Sequence, residues 1–339
     1  MAVAKNRVIL GMMTFGPPTV TSARITEISE TKRILQMFKD RGYCELDTAR
    51  VYMDGEQEAF TAKAGYKDYG FTIATKCYPA LQGEHSPERL TEFLNTSLKE
   101  LNTNSVEVYY LHAPDRKTPI LDTLKTMDKL HKEGKFKIFG ISNYAAYEVT
   151  EMVDLARQYG LVQPTLYQAR YNCITRVIEP ELIPALRRYG IDIVVYNPLA
   201  GGLLSGKYGK TAQPTEGRFD LNSTQGSVYR SRYFKEAYWD ALDIIEEAVS
   251  KHAGISLIEV ALRWVANHSL LKLGPAAGQT GDGIIIGISS YEQLMDNLDA
   301  LEKGPLPQDI VDALDKAARV ASMDAQPYWL GKLEYSYQY

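Results

Sequence analysis

The stretch Tyr43–Tyr52, YCELDTARVY, reads as a short apolar strand, carried by Tyr43, Cys44 and Leu46, that hands two polar groups, Asp47 and Tyr52, to the loop beyond it. The next two apolar runs behave the same way. FTIATK (71–76) ends on Lys76, and EVYYLHAPD (107–115) carries His112 just past its strand. Successive strand ends that deliver Asp, Tyr, Lys and His to one place are how a site is assembled at the C-terminal face of an α/β barrel.

Working outward, strand-length apolar runs recur along the chain. The candidates are Val8–Met13, Tyr43–Thr48, Phe71–Thr75, Val106–Leu111, Phe136–Ser142, Thr165–Gln168, Ile191–Asn197 and Gly283–Ile288. Most are continuous rather than alternating, as parallel strands covered on both faces require. Amphipathic segments separate them. Glu27–Arg41 stops at Gly42, Tyr147–Tyr159 at Gly160 and Pro180–Tyr189 at Gly190, each a plausible C′ glycine. Ser86-Pro87-Glu88 reads as an N-cap with proline at N1, Thr118-Pro119 opens the next helix, and Ser256 with Glu259 spells a capping box. Strands alternating with helices give either a (β/α)₈ barrel or an open doubly wound sheet. No GxGxxG follows the first strand, so the dinucleotide fingerprint of the open sheet is missing and the barrel is favoured. The whole chain, 1–339, reads as a single barrel domain. Two additions are expected: a long irregular loop from Leu199 to about Arg232, and a C-terminal tail from about 320 that ends in the aromatic-rich Tyr328–Tyr339.

Composition narrows the function classes. With 24% charged residues interspersed and a net charge of −4, there is no basic face for nucleic acid. Three scattered cysteines, Cys44, Cys77 and Cys173, without metal-ligand spacing, fit a reducing compartment. The apolar part of MAVAKNRVILGMM is short for a signal peptide, and no stretch approaches a membrane span. The expectation is a cytoplasmic protein with a small-molecule partner and no structural metal.

The reactive groups suggest proton chemistry at a carbonyl. A tyrosine serving as general acid starts from a pKa of about 10, which a neighbouring ammonium would lower. Lys76 is expected to play that part for Tyr52, Asp47 to pair with Lys76, and His112 to donate a hydrogen bond to the substrate oxygen. None of the four supplies electrons, so a hydride donor must bind beside them. Singly, each has a plainer reading: half-buried packing for Tyr52, a surface ion pair for Lys76 and Asp47, a turn cap for His112. The convergence favours chemistry.

The sequence is similar to the aldo-keto reductases, and its longer matches resemble the aflatoxin-aldehyde reductase branch. The residues that carry this are LDTARVY (46–52), YYLHAPD (109–115), EGKFKIFGISNYAAYEV (133–149), YNPLAGGLLSGKY (196–208), RYFKE (232–236) and ISSYEQLMDNL (288–298). The resemblance implies a (β/α)₈ barrel that binds NADPH or NADP⁺ without a Rossmann motif, with Asp47, Tyr52, Lys76 and His112 as catalytic tetrad. It implies that Ser142, Asn143 and Gln168 hold the nicotinamide carboxamide while Tyr196 stacks on its ring. The pyrophosphate falls to Asn197, Pro198, Leu199, Gly201, Gly202, Leu203 and Lys207, and the 2′-phosphate and adenine to Arg218, Ser289, Ser290, Gln293 and Asn297. Met13, His112, Tyr229 and Arg232 would face the aldehyde substrate, and two copies would form a homodimer. Plainer roles remain open: turn capping for Ser142 and Asn143, linker behaviour for the glycines, helix capping for Ser290. One departure stands out. Relatives that take carboxylated aldehydes carry an arginine just after a C-terminal aromatic pair, whereas this chain has Tyr328-Trp329-Leu330, which argues against an acidic substrate. Besides an aldehyde reductase, a cofactor-binding regulatory subunit on the same barrel, or a hydrolase or isomerase using Asp47 and His112, would also fit the residues.

Overall fold

The computed structural model describes residues 5–81, 83–276 and 280–337. Eight parallel strands close into a barrel in sequence order: β1 Val8–Gly11, β2 Glu45–Asp47, β3 Thr72–Cys77, β4 Val106–Leu111, β5 Phe136–Ser142, β6 Leu166–Arg170, β7 Asp192–Tyr196 and β8 Gly283–Gly287. Closure is made by β8 pairing with β1, Val8 opposite Ile284 and Gly11 opposite Gly287. The helices are α1 Ile28–Asp40, α2 Gln57–Lys63, α3 Pro87–Glu100, α4 Ile120–Lys132, α5 Ala146–Tyr159 and α6 Leu182–Tyr189. They continue as α7 Thr224–Tyr233, α8 Glu236–Val249, α9 Leu257–Asn267, α10 Tyr291–Leu301 and α11 Gln308–Ala321. No helix among the described residues is long and apolar enough to cross a membrane.

Two apolar layers hold this together. Inside the barrel, Ile9, Ala74, Val108, Tyr110, Leu166, Val194 and Ile285 pack against one another. A larger layer lies between the strands' outer faces and the helices. Both faces of each strand are therefore dry, which is why the strands show as continuous apolar runs. Gly140 is needed within the inner layer: a Cβ there would stand 2.3 Å from the Tyr110 ring. At the N-terminal end of the barrel, Arg7 grips Glu45 through Nε (2.8 Å) and Nη2 (2.6 Å), both side chains buried.

The elements fall where expected, most with shorter bounds, and three further differences stand out. Gly160 and Gly190 do close α5 and α6 in the left-handed conformation. Ser256 Oγ accepts from Glu259 N at 3.1 Å, but the reciprocal half of the capping box is absent. The Glu259 carboxylate instead takes Arg263 (2.7 Å) and Lys303 (2.6 Å), because two cations outcompete one backbone amide. The stretch 199–232 is not irregular throughout. It forms a 3₁₀ turn at Ala200–Ser205, another at Gly217–Phe219, and then α7, capped by Ser223 Oγ on Gly226 N at 2.9 Å. Third, β6 runs to Arg170, two residues beyond the expected end at Gln168.

Candidate active site

The C-terminal ends of the strands bring the four expected reactive groups together. Lys76 on β3 is fully buried and donates to Asp47 Oδ2 at 2.6 Å and to the Thr48 carbonyl at 2.7 Å. Its remaining reach is to Tyr52 Oη at 3.5 Å, the outer limit of a hydrogen bond. The other carboxylate oxygen, Asp47 Oδ1, accepts Gln168 Nε2 from β6 at 2.9 Å. His112 meets Tyr52 edge-on, with ring centroids 5.9 Å apart, and Tyr78 meets His112 in the same way at 5.4 Å.

The electrostatics differ from the expectation at Tyr52. Burial, and then the Asp47 charge, push its phenol well above the ordinary tyrosine value, so it holds its proton. Lys76 does not reverse this, because its two short hydrogen bonds go to Asp47 and a carbonyl rather than to the phenol. Burial pulls the Lys76 ammonium down while Asp47 opposes that, and burial with Lys76 nearby holds His112 well below the usual histidine range. His112 is thus a neutral imidazole, and its buried Nδ1 has no partner among the described residues. A protonated phenol and a neutral imidazole side by side can present two hydrogen-bond donors to one oxygen.

Tyr52 itself opens a 3₁₀ turn, Tyr52–Gly55, in which Met53 (φ 49°) and Asp54 (φ 54°) adopt left-handed backbone. Such strain persists only where neighbours over-determine it. Here the clamp is Arg50, which sequence reasoning missed. Its Nη2 donates to the Gly55 carbonyl and its Nη1 to Glu58 Oε2 at 2.5 Å, while Glu58 Oε1 accepts Thr75 Oγ1 at 2.5 Å. The oppositely charged pair Arg50 and Glu58 flanking Asp54-Gly55 was the available signal.

Around this centre lie the remaining expected residues. Ser142 Oγ donates to the Gln168 carbonyl (2.9 Å), and Asn143 Nδ2 donates to the His112 carbonyl (2.8 Å) and to Ser142 Oγ (2.9 Å). Tyr196 Oη donates to Asn143 Oδ1 at 3.1 Å. The Gln168 amide nitrogen donates to Asp47 across the barrel. Next, Asn197 (φ 61°), Ala200 (φ 50°), Gly201 (φ 71°) and Gly202 (φ 100°) all have left-handed backbone, and open space lies beside Gly202. Pro198, Leu199 and Leu203 complete this loop, and Lys207 beyond it is exposed. Arg218 donates to Gln225 Oε1 at 2.6 Å, and neither Lys207 nor Arg218 has a carboxylate partner among the described residues. Ser290 Oγ caps α10 on Gln293 N at 3.2 Å, Gln293 Oε1 returns to Ser289 N at 2.8 Å, and Asn297 is buried one turn on. A bare backbone loop, an unpartnered buried amide at Asn197 Nδ2 and unneutralised cations are the donor set a dinucleotide's phosphates and carboxamide require.

Over the mouth, Tyr229 on α7 donates to Asn197 Oδ1 at 3.4 Å and lies within 5.5 Å of both Arg218 and Arg232. Met13 is half-buried after β1. The tail does fold across the barrel. Leu330 N donates to the Asn143 carbonyl (3.0 Å), Arg116 Nη1 holds the Leu330 carbonyl (2.7 Å), and Tyr328 Oη donates to Glu181 Oε2 (2.6 Å). Behind the tail is a cavity of about 280 Å³ bounded by Asn143, Tyr196, Arg170, Arg232 and residues 326–331.

A closed parallel barrel with a lysine–aspartate pair, a tyrosine and a histidine at its C-terminal face defines an oxidoreductase that acts on carbonyl groups. The comparisons agree. The profile of the aldo/keto reductase family matches residues 7–319, and the chain belongs to that family. An aldo-keto reductase of Pseudocercospora fijiensis is 41% identical over 302 residues, covering 87% of this chain and all of that one. Rat aflatoxin B1 aldehyde reductase member 2 is 40% identical, covering 92% of this chain and 86% of its own. Human aldo-keto reductase family 7 member A3 is 38% identical, covering 96% and 98%.

Proposed function

We propose that the chain reduces aldehydes to alcohols with NADPH, Tyr52 serving as the proton donor. The observation that carries this is the buried chain of contacts Gln168–Asp47–Lys76–Tyr52, with His112 edge-on to the phenol, at the mouth of the barrel. Asn143 and Tyr196 would hold the nicotinamide end, residues 197–203 the pyrophosphate, and Lys207, Arg218, Ser289, Ser290, Gln293 and Asn297 the adenosine phosphate end. When bound, the reduced nicotinamide supplies the hydride.

The protein's own groups do the rest. The neutral His112 imidazole orients the carbonyl oxygen, and Tyr52 Oη gives that oxygen its proton as negative charge develops there. Burial keeps the proton on Tyr52 until that moment. Lys76, anchored by Asp47, stands 3.5 Å away to stabilise the phenolate that remains. The cation pair Lys207 and Arg218 supports a preference for the 2′-phosphorylated nucleotide. Two copies pairing in solution, and residence in a reducing cytoplasm where Cys44, Cys77 and Cys173 stay free, complete the proposal.

The test is loss of NADPH absorbance with a panel of aldehydes, set against NADH. Tyr52→Phe should slow the reaction by about 10²–10⁴-fold while nucleotide still binds. Equal rates in Tyr52→Phe and wild type would overturn the assignment of Tyr52.

A further inference from the structure

Lys76 carries a buried ammonium whose surroundings the carbonyl chemistry has used only in part. Its register partner on β4 is Tyr110, and the partner of Tyr110 on β5 is Gly140. The three lie in one row across the inside of the barrel. The Tyr110 ring, buried, lies over Gly140, where a Cβ would overlap it. That leaves Lys76 free to stretch the other way, to Asp47 Oδ2 at 2.6 Å, with its Nζ 5.7 Å from the Tyr110 ring centroid. The Tyr52 ring centroid stands 5.1 Å from the same nitrogen. Two rings therefore attend one ammonium, and one of them belongs to the proton donor. A desolvated ammonium within about 6 Å of a ring face is attracted by the ring's quadrupole. The charged and titratable groups facing Lys76 are Asp47 from β2, Tyr52 beyond it, Glu58 from α2, and Tyr110 and His112 from β4 and its end. Burial works against the Lys76 charge, while Asp47 and Glu58 support it.

We infer that Tyr110 is a positioning residue for the proton transfer: its ring face holds the Lys76 ammonium charged and within reach of Tyr52 Oη. The charge matters once Tyr52 has given up its proton, because the phenolate left behind needs a cation beside it. Burial pushes the Tyr52 phenol well up and draws the Lys76 ammonium down, so Lys76 is the first of the two to lose its proton as pH rises. The alkaline limb of kcat therefore reports the Lys76 charge. The Tyr110 hydroxyl has a separate task, since it lies within reach of the Gln168 side chain. Ring and hydroxyl can thus be told apart by substitution. This inference rests on the aldehyde-reductase reading and deepens it.

The experiment changes the ring's electrons while keeping its shape. Tyr110→Phe removes the hydroxyl, and the same substitution carrying one, two or three ring fluorines progressively weakens the ring's negative face. With NADPH and aldehyde saturating, the alkaline limb of kcat should stay near its wild-type position in Tyr110→Phe. It should then move to lower pH with each fluorine, by about half a pH unit or more over the series. KM for nucleotide should not move. A merely structural role would give rings of equal shape the same limb, so a limb indifferent to fluorine overturns the inference. So does a limb that falls as far in Tyr110→Phe as with three fluorines, which would assign the effect to the hydroxyl. A second measurement does not depend on turnover. Lysine labelled with ¹³C at Cε is followed by NMR in the full chain with NADP⁺, the Lys76 signal being identified by its loss in Lys76→Met. Its titration midpoint should fall through the same series, and a constant midpoint overturns the inference. If no aldehyde consumes NADPH, the aldehyde-reductase reading fails, and the Lys76 midpoint still decides the part played by Tyr110.

Discussion

Gln168 Nε2 donates to Asp47 Oδ1 at 2.9 Å, tying β6 to β2 across the inside of the barrel. The two strands sit on opposite walls of the closed sheet. Asp47 is therefore held from both sides, by Lys76 and by Gln168, and Lys76 is aimed at Tyr52 only because that carboxylate cannot turn.

Gln168→Leu keeps the volume and removes the donor. A buried carboxylate that loses one partner costs about 1–3 kcal/mol. The expected outcome is a lower urea midpoint at unchanged m-value, together with a lower kcat. Nucleotide affinity should move little, because the donor removed is the one that serves Asp47. A large loss of NADPH affinity, with kcat held at saturation, would instead assign Gln168 to the carboxamide.

Arg50 is a positioning residue, two residues along the chain from the tyrosine whose proton it serves. Arg50→Met frees the Gly55 carbonyl and leaves the buried Glu58 without its cation, so the strained turn bearing Tyr52 should relax. We expect kcat to fall by about tenfold or more while KM for nucleotide is kept. Arg50→Lys should restore only part, since a single ammonium cannot span both partners. If kcat is unchanged in Arg50→Met, the turn is held by something else.

His85 gives the protein an acid-sensitive flank. Its ring is buried with Nε2 unpartnered among the described residues, and burial lowers it to about 4 against the opposing pull of Asp115 and Glu84. The folded chain refuses a proton that the unfolded chain takes near the ordinary histidine value. The stability that His85 contributes is therefore complete above about pH 6.5 and drains away as pH falls towards 4, by about 3 kcal/mol in all. Urea midpoints measured between those limits should slope in wild type and slope less steeply in His85→Phe, the remaining slope coming from other groups shifted on folding, His112 among them.

Strand number, strand order and the convergence of Asp47, Tyr52, Lys76 and His112 were legible because they depend on features a sequence writes locally: dry apolar runs, helix-closing glycines and polar residues at run ends. Three features were not. The second half of the 199–232 loop is helical, yet Thr224–Tyr233 has no apolar stripe, so only the cap at Ser223 betrayed it. Arg170 lies two residues past the expected end of β6, in a run, YQARYN, where an arginine reads as the point at which the chain meets solvent. The tail that buries it comes from more than 150 residues further along. Finally, the direction of the Tyr52 shift is set by burial and by the Asp47 charge, and no spacing encodes how dry the phenol will be.

α7 is a ten-residue helix whose buried side chains, Tyr229 and Tyr233, are its only large anchors on the barrel. A helix that short is marginal by itself, so its amides should be among the first in the protein to exchange with deuterium. Each opening lifts Tyr229 from Asn197 and, with it, the ring against which Arg218 and Arg232 rest. The melting of one polar helix would then loosen both ends of the mouth at once, so the dwell time of a nucleotide and that of a substrate would be governed by the same clock.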